Sequence, residues 1–495
     1  MKTLLTIDVG TSSTKVALFS QNGRLLDSEQ VTYAVQRPRS GWAEQDPGFW
    51  WDAVCLSAKK LLKDDSLREI AAVAVSGQTP SCVAIDTAGK PIRPAILWLD
   101  RRSVSQVEWL ENHVSLKKAV QRSANTLDSY YGGAKWLWFA QEEPAAYRNT
   151  WKILQAGGYI VYQLTGKAVI DYSQAGLCSP CFNMKRREWD QEICDLMGIQ
   201  IEKLPQILPS TQIIGQVTRK GAQESGIPVE TPVATGAGDF ALSCLGAGVL
   251  EAGTAAAMLG TAGNLLVPEP SKTDPRLINT IHVNGNTLSL GGVYAGGSLE
   301  WFKGLFRSNP PDFFAQVENE AKQTSAGANG LLFLPYLMGE RTPIWDPQAR
   351  GVFFGLSNRH GRGHLYRSIL EGVALAFRQI LEIVTQTGTD IQEIVLTDGG
   401  AQSPLWRQIF SDVLQIPVRW QPHTGGTSLG TAYLAAVANG QVPGFGELSQ
   451  WLTPTLDSYP NSSTTEVYDD LFEIYWQFYE RVKDLYPRLT VNSNM

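Results

Sequence analysis

Histidine and cysteine are scarce, with five and six copies among 495 residues. Zinc-dependent or thiol-based chemistry needs such side chains in groups, and the groups are missing. His360 and His364 have helix-turn spacing, but the stretch RHGRGH holds two glycines and lacks the glutamate of a zinc-protease helix, so it reads as no metal site. Cys178 and Cys181 in GLCSPCF form the one close pair. They lack the second pair of a zinc ribbon and the small domain of a redox centre, and are expected as two buried thiols. Basic runs are absent too, and a formal charge of −6 makes nucleic acid an unexpected partner. No apolar run reaches the roughly 18 residues of a membrane span, and MKTLLTIDVG is too brief for a signal peptide. A cytoplasmic protein without a membrane partner is the expectation.

What is present describes a loop-rich α/β chain: 43% hydrophobic and 18% charged residues, with 46 glycines and 26 prolines spread along its length. The length favours two domains. Residues 3–7 and 15–19 read as strands, and the Asn22-Gly23 turn leads to a third in LLDSEQVTYAV, a meander. Helical spacing follows from Trp50 to Leu62. A dense glycine series then surrounds Gly248, where the domain boundary is expected, giving domains 1–247 and 248–495. Beyond it, AAAML, a Gly-Thr turn and NLLV echo the opening meander, although only a few residues carry the echo. Further on, Leu365, Ile369, Val373, Phe377 and Ile380 mark one stripe of a long helix. IQEIVL, a glycine turn and a helix begun by Ser403 and Pro404 follow, and Leu471, Tyr475, Phe478, Val482 and Leu485 mark a closing core helix.

Four glycine turns, each beside a strand-like run, carry the chemistry. In DVGTSSTK, Gly10 permits close approach to a phosphate, Thr11, Ser12 and Ser13 offer hydroxyl and amide donors, and Asp8 is a carboxylate for a hydrated magnesium ion. The same stretch also reads as an ordinary hairpin turn with solvated hydroxyls. It lacks P-loop spacing. TGAGDF sets Asp239 after small residues, LGTAG supplies Gly260 and Thr261, and DGGAQS supplies Gly399, Gly400 and Ala401, whose bare backbone suits a purine. Together they suggest an ATP site divided between two domains. Asp239 is then the candidate base for an attacking hydroxyl; the competing reading has it only holding magnesium.

These loops and their order resemble the FGGY family of carbohydrate kinases, within the actin-like ATPase superfamily. GVFFGLSNRHGRGHLYRSILE from Gly351 to Glu371 fits the family's C-terminal signature. YYGGAKWLWFAQE from Tyr130 to Glu142 meets the N-terminal one, except that Gly132 stands where Pro, Ser or Thr is usual. GWAEQDP, RPAILWLDRR and LPYLMGERTPIWDP are similar to the xylulose-kinase branch. The resemblance implies two ribonuclease-H-like domains with a catalytic cleft between them, ATP and Mg2+ as cofactors, and a homodimer as a frequent assembly. It also implies Asp8, Gly10, Thr11 and Ser12 as the first phosphate loop and Asp239 as general base. Gly260 and Thr261 would meet the phosphates, and Gly399, Gly400 and Ala401 the adenosine.

The substrate implied is a small open-chain carbohydrate, first of all a ketopentose such as xylulose. Two departures bear on it. Xylulose kinases usually read Gly-Gln-Met-His where this chain has Gln78, Thr79 and Pro80 after Gly77, and an Asn follows the base where this chain has Phe240. Gln78, Thr79, Asp239 and Phe240 are therefore the candidate sugar contacts. Glycerol kinases carry Arg-Glu after the glutamine, which is absent. Ribulose, erythritol, glycerol and gluconate stand as alternatives, and an actin-like ATPase module without sugar transfer is the alternative from another class. Trp98 and the aromatics from Tyr130 to Trp138 are expected in packing.

Overall fold

A computed structural model describes residues 2–63, 69–306, 310–421, 426–452 and 455–490. The chain forms two compact units, the first from residues 1–250, 279–288 and 424–452, the second from 251–278, 289–423 and 453–495. Each is built on a mixed sheet.

In the first unit, β1 (Thr3–Val9) and β2 (Ser13–Ser20) are buried along most of their length, whereas β3 (Leu25–Thr32) alternates toward solvent. The meander predicted from the sequence is present, with β1 and β2 longer than expected. Gly23 turns the chain at φ +82°, the left-handed geometry that an Asn-Gly hairpin requires. A two-residue strand, β4 (Glu44–Gln45), pairs with Ala95–Ile96. The following helix, Pro47–Leu61, opens with Asp46 accepting from the Gly48 N–H and proline in its first turn, the preferred start for both residues. β5 (Ile70–Gly77) then enters parallel to β1. The strands Ile213–Gln216 and Pro232–Ala234 complete one edge, and Ala237–Gly238 pairs parallel with the end of β5.

The helix Asp239–Gly246 leaves directly from that last strand and packs on the helix Thr427–Ala438, which also covers β1 and β5. Contact between these helices is set by absent side chains. A Cβ at Gly430 would stand 1.9 Å from the Leu242 carbonyl oxygen, and one at Gly246 would stand 2.2 Å from that of Gly426. Neither backbone can yield to a methyl group.

The second unit repeats the order of pairing. Thr254–Leu259 runs antiparallel to Gly263–Pro268 and parallel to Glu393–Thr397, as β1 does to β2 and β5. Val418–Trp420 and Leu456–Ser458 extend the sheet. The long helix, Arg362–Gln386, buries more than one stripe: Ile369, Leu370, Val373, Ala374, Leu375 and Phe377 are all fully buried. Burial of each large apolar side chain contributes about 1.5–3 kcal/mol. Ser403 caps the next helix by accepting from the Trp406 N–H, as its sequence predicts.

The last long helix, Thr465–Val482, buries Tyr468 and Tyr475, while Leu485 is 49% exposed. A 3-10 turn over Lys483–Leu485 changes the rotation per residue and carries Leu485 off the buried stripe. Tyr468 completes a buried cluster: its hydroxyl donates to Glu371 at 2.9 Å and accepts from Arg367 at 3.2 Å, and Arg367 Nε donates to Glu371 at 2.7 Å. Tyr468→Phe removes one donor from a buried carboxylate. A loss of about 1–2 kcal/mol is expected, read as a lower denaturation midpoint for the second unit.

Among the described residues no helix is long and apolar enough to cross a membrane. Cys178 and Cys181 are buried free thiols, and burial raises both well above the usual thiol pKa; for Cys181 a hydrogen bond with Cys194 is the larger cause.

Candidate active site

The C-terminal ends of three parallel strands converge in the first unit. Ser76 on β5 pairs with Asp8 on β1 and with Ala237 of the short strand, and the next residue, Gly77, pairs with Gly238. Asp8 and Asp239 are thereby brought to one edge of the sheet, where α/β folds receive ligands. Ser76 Oγ donates to Asp8 Oδ1 at 2.7 Å. The Phe240 N–H donates to Asp239 Oδ1 at 2.7 Å, and the Gly238 N–H to Ser173 Oγ at 3.0 Å.

Removal from water raises the pKa of both carboxyl groups. For Asp8 the Ser76 hydrogen bond and Lys15 oppose the rise. For Asp239 burial and then the negative charge of Asp8 push it up to about 7, against the Phe240 and Asp239 N–H groups. A buried carboxylate whose proton affinity a second buried carboxylate raises forms with it a place where one cation lowers the energy of both. Among the described residues no group of three or more His, Cys, Asp and Glu side chains gathers as a metal cage. This donor set fits a magnesium ion that keeps much of its water.

The first loop is the turn from β1 into β2. The Gly10 N–H donates to the Ser13 carbonyl at 2.9 Å, closing the turn. The loop's carbonyls meet protein donors. Gly10 O accepts from Tyr33 Oη at 2.8 Å and Gln78 Nε2 at 3.2 Å; Thr11 O accepts from Gln45 Nε2 at 2.7 Å, and Ser12 O from the Tyr33 N–H at 3.0 Å. The Thr11 and Ser12 N–H groups have no partner among the described residues. Trp98 Nε1 donates to Thr11 Oγ1 at 2.9 Å, and Gln30 Nε2 to Ser13 Oγ at 2.8 Å. With its carbonyls held back and the Thr11 and Ser12 amides free, the turn is suited to an anion.

Gln78 and Thr79 continue from the end of β5 beside Asp239. Thr79 Oγ1 is engaged with Gln155 Oε1 at 3.1 Å. A Cβ at Gly238 would lie 3.1 Å from Thr79 Cγ2 and 2.7 Å from Phe240 Cε1, so a methyl group and an aromatic edge flank the residue before Asp239. None of the described hydrogen bonds or ion pairs of Gln78, Thr79, Asp239 or Phe240 involves Lys or Arg.

The second unit treats its glycine turn in the same way. The Gly260 and Thr261 carbonyls accept from the N–H groups of Gly296 and Gly297 at 2.8 and 3.0 Å. Gly260 lies against Asp398, whose Oδ2 would be 3.3 Å from a Cβ there. Gly399, Gly400 and Ala401 form a 3-10 turn. Gly400 has no room for a side chain, since a Cβ would meet Trp406 at 2.5 Å, whereas Gly399 is open on that side.

Sequence reasoning did not single out Gln45, Ser76, Gln155 or Ser173. Ser76 had a signal, because Ser76 and Gln78 are polar residues two apart at the end of an apolar strand and share one face. The other three act through contacts distant in sequence.

The N-terminal and C-terminal domain models of the FGGY family of carbohydrate kinases match residues 3–246 and 255–439. A xylulose kinase of Staphylococcus xylosus is 32% identical, over 97% of this chain and 100% of its own length. A gluconokinase of Bacillus subtilis strain 168 is 29% identical, over 98% and 97%. The crystal structure of a xylulose kinase from Rhodospirillum rubrum superposes with a TM-score of 0.89 at 30% identity, covering 98% of this chain and 99% of that one.

Proposed function

The chain belongs to the FGGY family of carbohydrate kinases, and from that premise we propose that it transfers the γ-phosphoryl group of ATP to a hydroxyl of a neutral open-chain ketopentose, D-xylulose first. The observation that carries the reading is Asp239, a carboxylate at the head of a helix whose pKa burial and Asp8 push up to about 7. A base with that pKa is half ionised near neutral pH and accepts a hydroxyl proton without a large energetic mismatch. Asp239 orients the acceptor hydroxyl and takes its proton as the oxygen attacks phosphorus. The Thr11 and Ser12 amides receive phosphate oxygens, with the Ser13 hydroxyl beside them. In the second unit, Gly260 and Thr261 receive phosphate, and Gly399, Gly400 and Ala401 face the adenosine. Asp8 and Asp239 would hold Mg2+, which supplies neutralisation of phosphate charge.

The choice of a neutral acceptor is supported by the Thr79 methyl and Phe240 ring that flank Gly238, the residue before the base. Gln78 completes the sugar side.

The test is ATP consumption with Mg2+ over D-xylulose, ribulose, glycerol, erythritol and gluconate, against a control without acceptor. D-xylulose is expected to raise the rate at least about tenfold and to give the highest kcat/KM, since mismatched hydroxyl patterns leave buried polar groups unpaired. A higher kcat/KM for gluconate would overturn the neutral-acceptor reading. A rate indifferent to every acceptor would favour an ATPase module instead.

A further inference from the structure

One buried polar atom beside the first loop is orphaned. Gln78 is 1% exposed, and its Oε1 has no hydrogen-bond partner among the described residues. Folded proteins rarely leave such an atom unpaired, so it calls for an explanation, and beside a site a ligand group supplies one.

The neighbours determine which end of the Gln78 amide is oxygen. Gln45 Nε2 donates to two carbonyls, Thr11 O at 2.7 Å and Ala34 O at 3.3 Å. Turning that amide over would set its oxygen against both. Gln45 Oε1 therefore faces the other way, where it accepts from Trp50 Nε1 at 3.1 Å and from Gln78 Nε2 at 3.1 Å. The second Gln78 N–H goes to Gly10 O at 3.2 Å. Both Nε2 protons are thus committed, and Oε1 is left as an acceptor alone. Gln78 follows Gly77, whose register partner is Gly238, the residue before Asp239. The free oxygen consequently belongs to the neighbourhood of the proposed base.

We propose that Gln45 is a positioning residue for the transfer. It locks the Gln78 carboxamide so that Oε1 accepts a hydrogen bond from a sugar hydroxyl, and through Thr11 O the same side chain ties this contact to the phosphate turn. The proposal rests on the kinase reading above. A network that served packing alone would have no reason to commit every donor of Gln78 while leaving its oxygen empty.

The experiment is a double-mutant cycle on the full chain with D-xylulose and Mg-ATP, using Gln45→Met, Gln78→Met and the pair. Gln45→Met is expected to raise the D-xylulose KM about tenfold or more, the loss of one well-placed hydrogen bond in a desolvated site. The pair should be no worse than Gln78→Met alone, because Gln45 acts on the sugar through Gln78. Multiplying effects would overturn the proposal. Gln45→Glu is the companion variant and carries the test if Gln45→Met does not fold. It keeps an acceptor for Trp50 and Gln78 but no donor for Thr11 O, so it should hold the D-xylulose KM within about threefold while raising that for ATP. A D-xylulose KM as high as that of Gln45→Met would overturn the proposal as well. The wild-type arm separates the two readings. A wild type inert toward D-xylulose sinks the substrate assignment, whereas active wild type with independent Gln45 and Gln78 effects sinks only the positioning role.

Discussion

Asp239→Asn is expected to lower kcat for sugar phosphorylation about 1,000-fold, within the range general bases contribute, while leaving affinity for a non-hydrolysable ATP analogue within about threefold. Asparagine fills the same volume and still accepts from the Phe240 N–H, but it takes no proton from the acceptor. Retained turnover would remove Asp239 as the base. The wild type should have its own signature in pH. With the carboxyl pushed up to about 7 by burial and by Asp8, kcat/KM should fall about tenfold per pH unit below that value and level off above it. Stability should move the opposite way. The folded-state pKa lies above that of an unfolded aspartate, about 3.9, so the folded chain binds this proton more tightly. The group's stabilisation is complete below pH 4 and is lost as pH rises through 7. Asp239→Asn should therefore melt above the wild type at pH 8, with the difference vanishing near pH 4. A gap that is constant across this range would argue against the raised pKa.

Gly430→Ala is expected to be the most damaging of the small substitutions in the first unit. The added methyl group would stand 1.9 Å from the Leu242 carbonyl oxygen and 2.8 Å from the Gly246 nitrogen, both backbone atoms, so the helices must separate. Overpacking of this kind costs about 3 kcal/mol. The helix that is pushed begins at Asp239, and a displacement of about 1 Å at a reacting group lowers rate roughly 100-fold. Thermal melting and kcat should fall together. Gly446→Ala, in the same unit with nothing within 4 Å of the new atom, is the control and should change neither appreciably. An unaltered melting point for Gly430→Ala would refute the close helix contact.

How much of this was legible beforehand depended on the range of the interactions. The Asn22-Gly23 turn and the Ser403 cap are local, and each appears in the structure where its residues indicate. Asp8 and Asp239 stood out because an acid beside glycine in an apolar context has little structural use. The commitment of the loop carbonyls did not stand out. It depends on Tyr33, Gln45 and Gln78, which reach Gly10 and Thr11 over 23 to 68 positions. Thr79 was legible as a polar residue near the base but not in its orientation, since the Gln155 bond that turns its hydroxyl away spans 76 positions. Leu485 shows the opposite failure, in which a periodic pattern was extended past the point where the helix changed its pitch.

The first unit begins at the N-terminus, yet the helix that covers β1 and β5 comes from residues 427–438. A ribosome must therefore release most of the polypeptide before that sheet acquires its cover. Until then the strands that present Asp8 and Ser76, and the glycine face of the Asp239 helix, lack the partner against which they pack. Synthesis thus builds the second unit's long helix before the first unit can close, and the proposed base is among the last features to reach its final surroundings. An isolated fragment of residues 1–250 would be stranded at that stage, with buried sheet surface open to other chains.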